Sequence, residues 1–120
     1  MNKRIVGTKY EQIAADFLKQ KNIQILEMNY RCRVGEIDLI VRDGNYLVFV
    51  EVKYRSTDKN GYPEEAVTKK KQKIISFVSK YYCFSHNLSE TTPIRFDVVS
   101  ICGTHIRWLK HAFDFQYGFF

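Results

Sequence analysis

Between Thr8 and about Gln20 the apolar residues Tyr10, Ile13, Ala14, Phe17 and Leu18 recur at helical spacing, and Thr8-Lys9-Tyr10-Glu11 has the form of a capping box. This predicts a first helix starting at Thr8. Ile23 to Arg31 is rich in β-branched and aromatic residues without a helical stripe and reads as a strand. Gly35 to Arg42 and Asn45 to Lys53 flank Asp43-Gly44, a favoured dipeptide for a tight hairpin turn, which adds two more strands. Ser56 to Pro63 has the polar composition of a surface loop. A second helix is expected from Pro63, with Glu64 and Glu65 at its positive dipole end. Val67, Ile74, Val78 and Tyr81 would form its buried stripe, with Lys69, Lys70 and Lys73 on the other side. Beyond a polar break at Ser85 to Pro93, Ile94 to Ile101 and His105 to Lys110 read as a strand pair turning at Gly103. The order is α-β-β-β-α-β-β, without repeat or linker, so residues 1–120 read as one α/β domain.

Composition narrows the class. In 120 residues, 45% hydrophobic and 15% aromatic content is enough to close a core without disulfides or a structural metal, which excludes a disordered chain. Cys32, Cys83 and Cys102 lie far apart with no C-x-x-C spacing and read as reduced thiols. Met1 to Gly7 lacks the apolar stretch of a signal peptide, and the longest strongly apolar run, Tyr46 to Val50, is too short to cross a bilayer. A cytoplasmic protein with no membrane partner is the expectation. The net charge is +6, and Lys53 to Lys80 alone holds eight bases against three acids. That concentration suits a polyanionic partner such as nucleic acid, although a solvated helix face has the same composition.

Candidate chemistry sits in the hairpin. With Asp43-Gly44 as a two-residue loop, Arg42 pairs with Asn45, so Asp38 falls opposite Phe49, Glu36 opposite Glu51 and Lys53 opposite Val34. Glu36, Asp38, Glu51 and Lys53 would then share one face of the sheet. Like charges directly across a ladder destabilise it. Mg²⁺ or Mn²⁺ would relieve that repulsion, and with a lysine alongside would suit phosphodiester hydrolysis. Solvated surface ions give the same spacing. The apolar strand Leu47 to Lys53 favours the first reading, because a buried strand rarely holds acid and base unpaired.

These residues carry a resemblance. Gly35-Glu36-Ile37-Asp38-Leu39-Ile40 followed by Glu51-Val52-Lys53 resembles the active-site motif of the PD-(D/E)XK nuclease superfamily. Together with Gly7, Glu11, Val48 to Arg55, Ala66-Val67-Thr68 and Arg95 to Val99, the chain resembles the YraN-like family of small uncharacterised bacterial proteins, similar in turn to archaeal Holliday-junction resolvases. The resemblance implies a restriction-endonuclease-like αβββαβ core, a central mixed sheet flanked by two helices. It implies that Asp38 and Glu51 hold Mg²⁺ or Mn²⁺, that Lys53 is the catalytic lysine, and that Glu11 adds a water-mediated acid. Two departures are visible: Ile37 stands where the motif name has proline, and Gln72 is followed by Ser76 where some branches have tyrosine.

Glu11 has a competing local role in the capping box. Glu36 and Gln72 are secondary candidates, and Arg55, Lys69, Lys70 and Lys73 are the candidates for gripping a phosphate backbone. Asp97 reads as a salt-bridge partner of Arg95, ahead of a neighbour of the metal site. His86, His105 and His111 form no metal or nucleophile motif, and no phosphate-binding glycine loop occurs. The aromatic tail from His111 either folds back on the sheet or docks on a second chain, and the resemblance to dimeric resolvases favours a homodimer. The expected function is a Mg²⁺- or Mn²⁺-dependent endonuclease on DNA, ahead of RNA, with branched or structured DNA as the substrate class. The alternative is a non-catalytic nucleic-acid-binding module of the same fold, and a third reading is an interaction protein working through its tail.

Overall fold

The computed structural model describes residues 3–55 and 67–118, with α1 at Lys3–Gln20, β1 at Gln24–Arg31, β2 at Glu36–Asp43, β3 at Tyr46–Arg55, α2 at Lys69–Ser85, β4 at Ile94–Cys102 and β5 at His105–Leu109. One five-stranded sheet has the order β1-β2-β3-β4-β5. All neighbours are antiparallel except β3 and β4, which run parallel because α2 carries the chain back across the sheet. The αβββαβ order and the mixed sheet with two helices are therefore as expected. No helix among the described residues is long and apolar enough to cross a membrane.

The helices cover opposite faces. Ala14, Ala15 and Leu18 of α1 pack with Leu39, Val41, Val48, Val50, Val99 and Ile101, while Ile75, Val78 and Tyr82 of α2 pack with Ile37, Ile40, Leu47, Phe49 and Phe96. Both faces of the middle strands are covered, so these strands are apolar almost throughout. Asp97 lies fully buried within β4, level with Val50 of β3. It accepts Arg95 Nε at 2.8 Å, Arg95 again at 2.9 Å, Trp108 Nε1 at 2.8 Å and the His111 amide at 2.9 Å. Arg95 also reaches Asp43 at 2.8 Å, so one satisfied network ties the β2–β3 turn to the last strand. The Arg95–Asp97 pairing is as expected.

Four sequence expectations need correction. Helix α1 begins at Lys3, so Thr8 lies inside it and not at its start. The hairpin loop is Gly44-Asn45, with Gly44 at φ 59°, and Asp43 pairs with Tyr46. The register is therefore two residues from the expected one, and Asp38, not Glu36, comes level with Glu51. Helix α2 is capped by Thr68, whose side chain accepts the Lys71 amide, while the expected start at Pro63 to Glu65 and the Ser56 to Pro63 loop lie outside the described residues. Its buried stripe is Ile75, Val78 and Tyr82, leaving Tyr81 48% exposed. The stripe is displaced because it follows Tyr82, whose ring meets Phe49 and Tyr30 edge-on.

Candidate metal centre

The site forms where the sheet splits. The β2–β3 ladder runs from Asp43↔Tyr46 to Leu39↔Val50 and stops, while β2 stays paired with β1 as far as Glu36 and β3 with β4 as far as Arg55. In the cleft the Asp38 carboxyl accepts the Val52 amide at 2.8 Å, a bond that replaces the next rung.

Asn29 on β1 sets the other half of the geometry. Its φ of 56° interrupts the pleat, so Met28 and Leu39 face α1 while Tyr30 and Ile37 face α2. Asparagine tolerates this left-handed conformation better than most residues. Ile37 and Leu39 thus point to opposite layers with Asp38 between them, and simple alternation fails at that position. The expectation that Glu36, Asp38, Glu51 and Lys53 share one face is corrected accordingly. Glu36 and Asp38 gather with Glu11 of α1, their ligand oxygens all within 4.8 Å of one another. Glu51 continues the Leu47–Phe49 row toward α2, and its buried side chain lies 3.6 Å from Lys71 Nζ. Asp38 lies between the two groups, on the Val52 amide next to Glu51 in the chain.

The electrostatics follow from the crowding. Burial, then the neighbouring carboxylate of Glu51, push the Asp38 pKa well above the usual carboxylate range, against the Val52 amide and Lys71. Glu11 is raised to about 7, first by burial and then by the charges of Asp38 and Glu36, while a hydrogen bond from Asn29 and the charge of Arg31 pull the other way. Glu11 Oε2 and Glu51 Oε2 are buried without a hydrogen-bond partner, since 3.6 Å from Lys71 is an ion-pair distance only. Oxygen donors that are crowded, buried and unsatisfied fit Mg²⁺ or Mn²⁺.

The remaining candidates are placed around this cluster. Lys53 lies two residues beyond Glu51 on the same side of β3 and is level with Ser100 of β4, whose buried hydroxyl has no partner. Glu36 pairs with Arg31 at 3.2 Å. Gln72 donates to the Val67 carbonyl at 3.1 Å and leaves its own Oε1 buried and unpartnered. Lys69 and Lys70 are exposed in the first turn of α2, Lys73 is half-buried, and Arg55 ends β3. Lys69, Lys70 and Lys71 all oppose the positive end of the helix dipole, and no acid in that turn offsets them. Such an end favours an anion.

Sequence reasoning placed Lys71 only among the lysines that could hold a phosphate backbone, and leaned toward a local role for Glu11. Both had a signal. Glu11 precedes Ala14, Ala15 and Leu18 at i+3, i+4 and i+7, and Lys71 precedes Ile75, Val78 and Tyr82 at i+4, i+7 and i+11. Each is a charged residue at the head of a buried stripe, where burial would otherwise demand an apolar one.

Fold and site together define an α/β protein whose mixed sheet opens over a buried acidic cluster flanked by lysines. The chain belongs to the UPF0102 family: residues 10–101 match the model of the "Uncharacterised protein family UPF0102", the family that its motifs resemble. It is 51% identical over 118 residues to a UPF0102 protein of Lachnoclostridium phytofermentans, covering 98% of this chain and 99% of that one. It is 49% identical over 111 residues to a UPF0102 protein of Legionella pneumophila, covering 90% and 93% of the two chains. A Vibrio cholerae UPF0102 protein is 42% identical over 115 residues, covering 93% and 94%.

Proposed function

We propose that this protein is a Mg²⁺- or Mn²⁺-dependent nuclease-like protein that binds DNA and hydrolyses phosphodiester bonds at Asp38, Glu51 and Lys53. The observation that carries the reading is the gathering of the Glu11, Glu36 and Asp38 oxygens within 4.8 Å of one another, with buried oxygens of Glu11 and Glu51 left without a hydrogen-bond partner. Such a group of acids is unstable alone and stable around a cation. Asp38 and Glu51 would hold the ion, which when bound supplies positive charge to a phosphate oxygen and acidifies a water. The Val52 amide fixes the Asp38 carboxylate against rotation. Lys53 offsets negative charge that develops on the phosphorus oxygens. Glu11 Oε2 is free to accept a hydrogen bond from a water and so orient it. Lys69, Lys70, Lys73 and Arg55 would grip the backbone of DNA, preferred here to RNA, with branched or structured forms as the substrate class.

The test is hydrolysis of duplex, single-stranded and four-way DNA with Mn²⁺ by wild type, Glu51→Ala and Lys53→Ala. Each variant should lose about a hundredfold or more in rate. Equal rates in all three proteins would discard the reading. The non-catalytic alternative draws on the exposed lysines of α2 and predicts salt-sensitive binding that is indifferent to Glu51→Ala.

A further inference from the structure

The outer face of α2 and the C-terminal tail enclose a groove of about 300 Å³ lined by Phe77, Lys80, Tyr81, Phe84, Phe115 and Tyr117, among others. Its rings are unusually bare: Phe84 is 81% exposed and Tyr117 is 85% exposed. The tail is held in place beneath, by Phe113 stacked on Phe96 at 5.1 Å and by the Gln116 amide on the buried Ser76 hydroxyl at 2.9 Å. Along α2, Lys70, Lys73, Phe77, Lys80, Tyr81 and Phe84 follow one another at helical spacing and form one continuous stripe. The helix contains no acid. This stripe begins beside the Lys71–Glu51 pair and reaches Phe84 about 20 Å away.

We infer that this stripe and groove bind an unpaired strand of DNA, its backbone along the lysines and its bases stacked on Tyr81, Phe84 and Tyr117. Charge and shape favour this occupant. Among the described residues the groove lining carries one charged side chain, the cationic Lys80, and leads into further lysines. A second copy docked face to face would set those lysines against their own images. A duplex hides its ring faces in the stack, whereas single-stranded bases offer them to aromatic side chains. The inference deepens the nuclease reading, on which it rests for what the strand is delivered to, by naming a substrate with an unpaired segment.

The test is fluorescence anisotropy of labelled oligothymidylate and of a blunt duplex, in EDTA so that no cleavage occurs. The full chain is compared with a Phe84→Ala/Tyr117→Ala double variant and with a Phe84→Tyr variant, at positions too exposed to threaten folding. The double variant should bind oligothymidylate about tenfold or more weakly while its duplex affinity stays within about twofold, and Phe84→Tyr should bind as wild type. Unchanged oligothymidylate affinity overturns the inference, as does a double variant whose one defect is loss of a dimer in sedimentation. Failure of the nuclease reading looks different: ring-dependent strand binding would persist although Mn²⁺ supports no Glu51-dependent cleavage.

Discussion

Asp38 accepts the backbone amide of Val52 at 2.8 Å, at the point where β2 and β3 cease to pair. The bond closes the ladder with a side chain and holds an acid beside Glu51. Asn at 38 keeps an acceptor for Val52 while removing a charge from the crowd. Asp38→Asn should therefore raise the melting temperature of the metal-free protein and abolish the further rise that Mn²⁺ gives wild type. Thermal melts of both proteins with and without Mn²⁺ check this, and an undiminished Mn²⁺ response in the variant would count against Asp38 as a ligand.

Glu11 sets a pH dependence. Its folded pKa of about 7 exceeds the ordinary value of 4.5, so between those values the folded protein holds a proton that the unfolded chain has released. Stability from this group is full below about pH 4.5 and declines as pH rises through 7. Melts between pH 5 and 8 should show that decline in EDTA, a shallower one in Glu11→Gln, and a Mn²⁺ gain larger at pH 8 than at pH 5. A metal-free protein that grows more stable from pH 5 to 7 would contradict the assignment.

Gly35 lets α2 approach the sheet. A Cβ there would collide with the Ile74 side chain. Gly35→Ala should cost about 1–3 kcal/mol by overpacking and shift the start of α2, which carries Lys71, away from Glu51. Urea titration gives the first quantity, and weakened Mn²⁺ binding by calorimetry would reveal the second.

Asp97 is the clearest structural acid. Asp97→Ala would leave the Arg95 guanidinium to Asp43 alone and the Trp108 indole N–H without an acceptor, a loss of about 3 kcal/mol. Trp108 is the sole tryptophan, so its fluorescence reports both the local change and the earlier unfolding midpoint. Mn²⁺ binding by the fraction still folded should be unchanged, because Asp97 bonds to Arg95, Trp108 and His111 and to none of the acids of the cluster.

Much of this was legible beforehand. Periodicity located all seven elements, because both helices and the middle strands carry strong apolar patterns. The pairing of Asp38 with Glu51 was reachable in part: the even loop length was right, but the turn sits one residue later, since Gly44 takes the first loop position in a left-handed conformation. What spacing could not show was the pleat reversal at Asn29. A single φ angle has no hydrophobic signature, yet it turns Asp38 between the layers and admits Glu11 to the cluster. The start of α1 was misplaced for a related reason, because the helix continues upstream through residues with no clear apolar stripe.

The split between β2 and β3 makes the acidic cluster a meeting point of layers that never otherwise touch. A carboxylate from above the sheet meets Glu36 and Asp38, and an ammonium from below meets Glu51 beside them. An excised hairpin would keep the motif yet lack both visitors. The chemistry therefore belongs to no segment of the chain and comes into being only when the last helix closes.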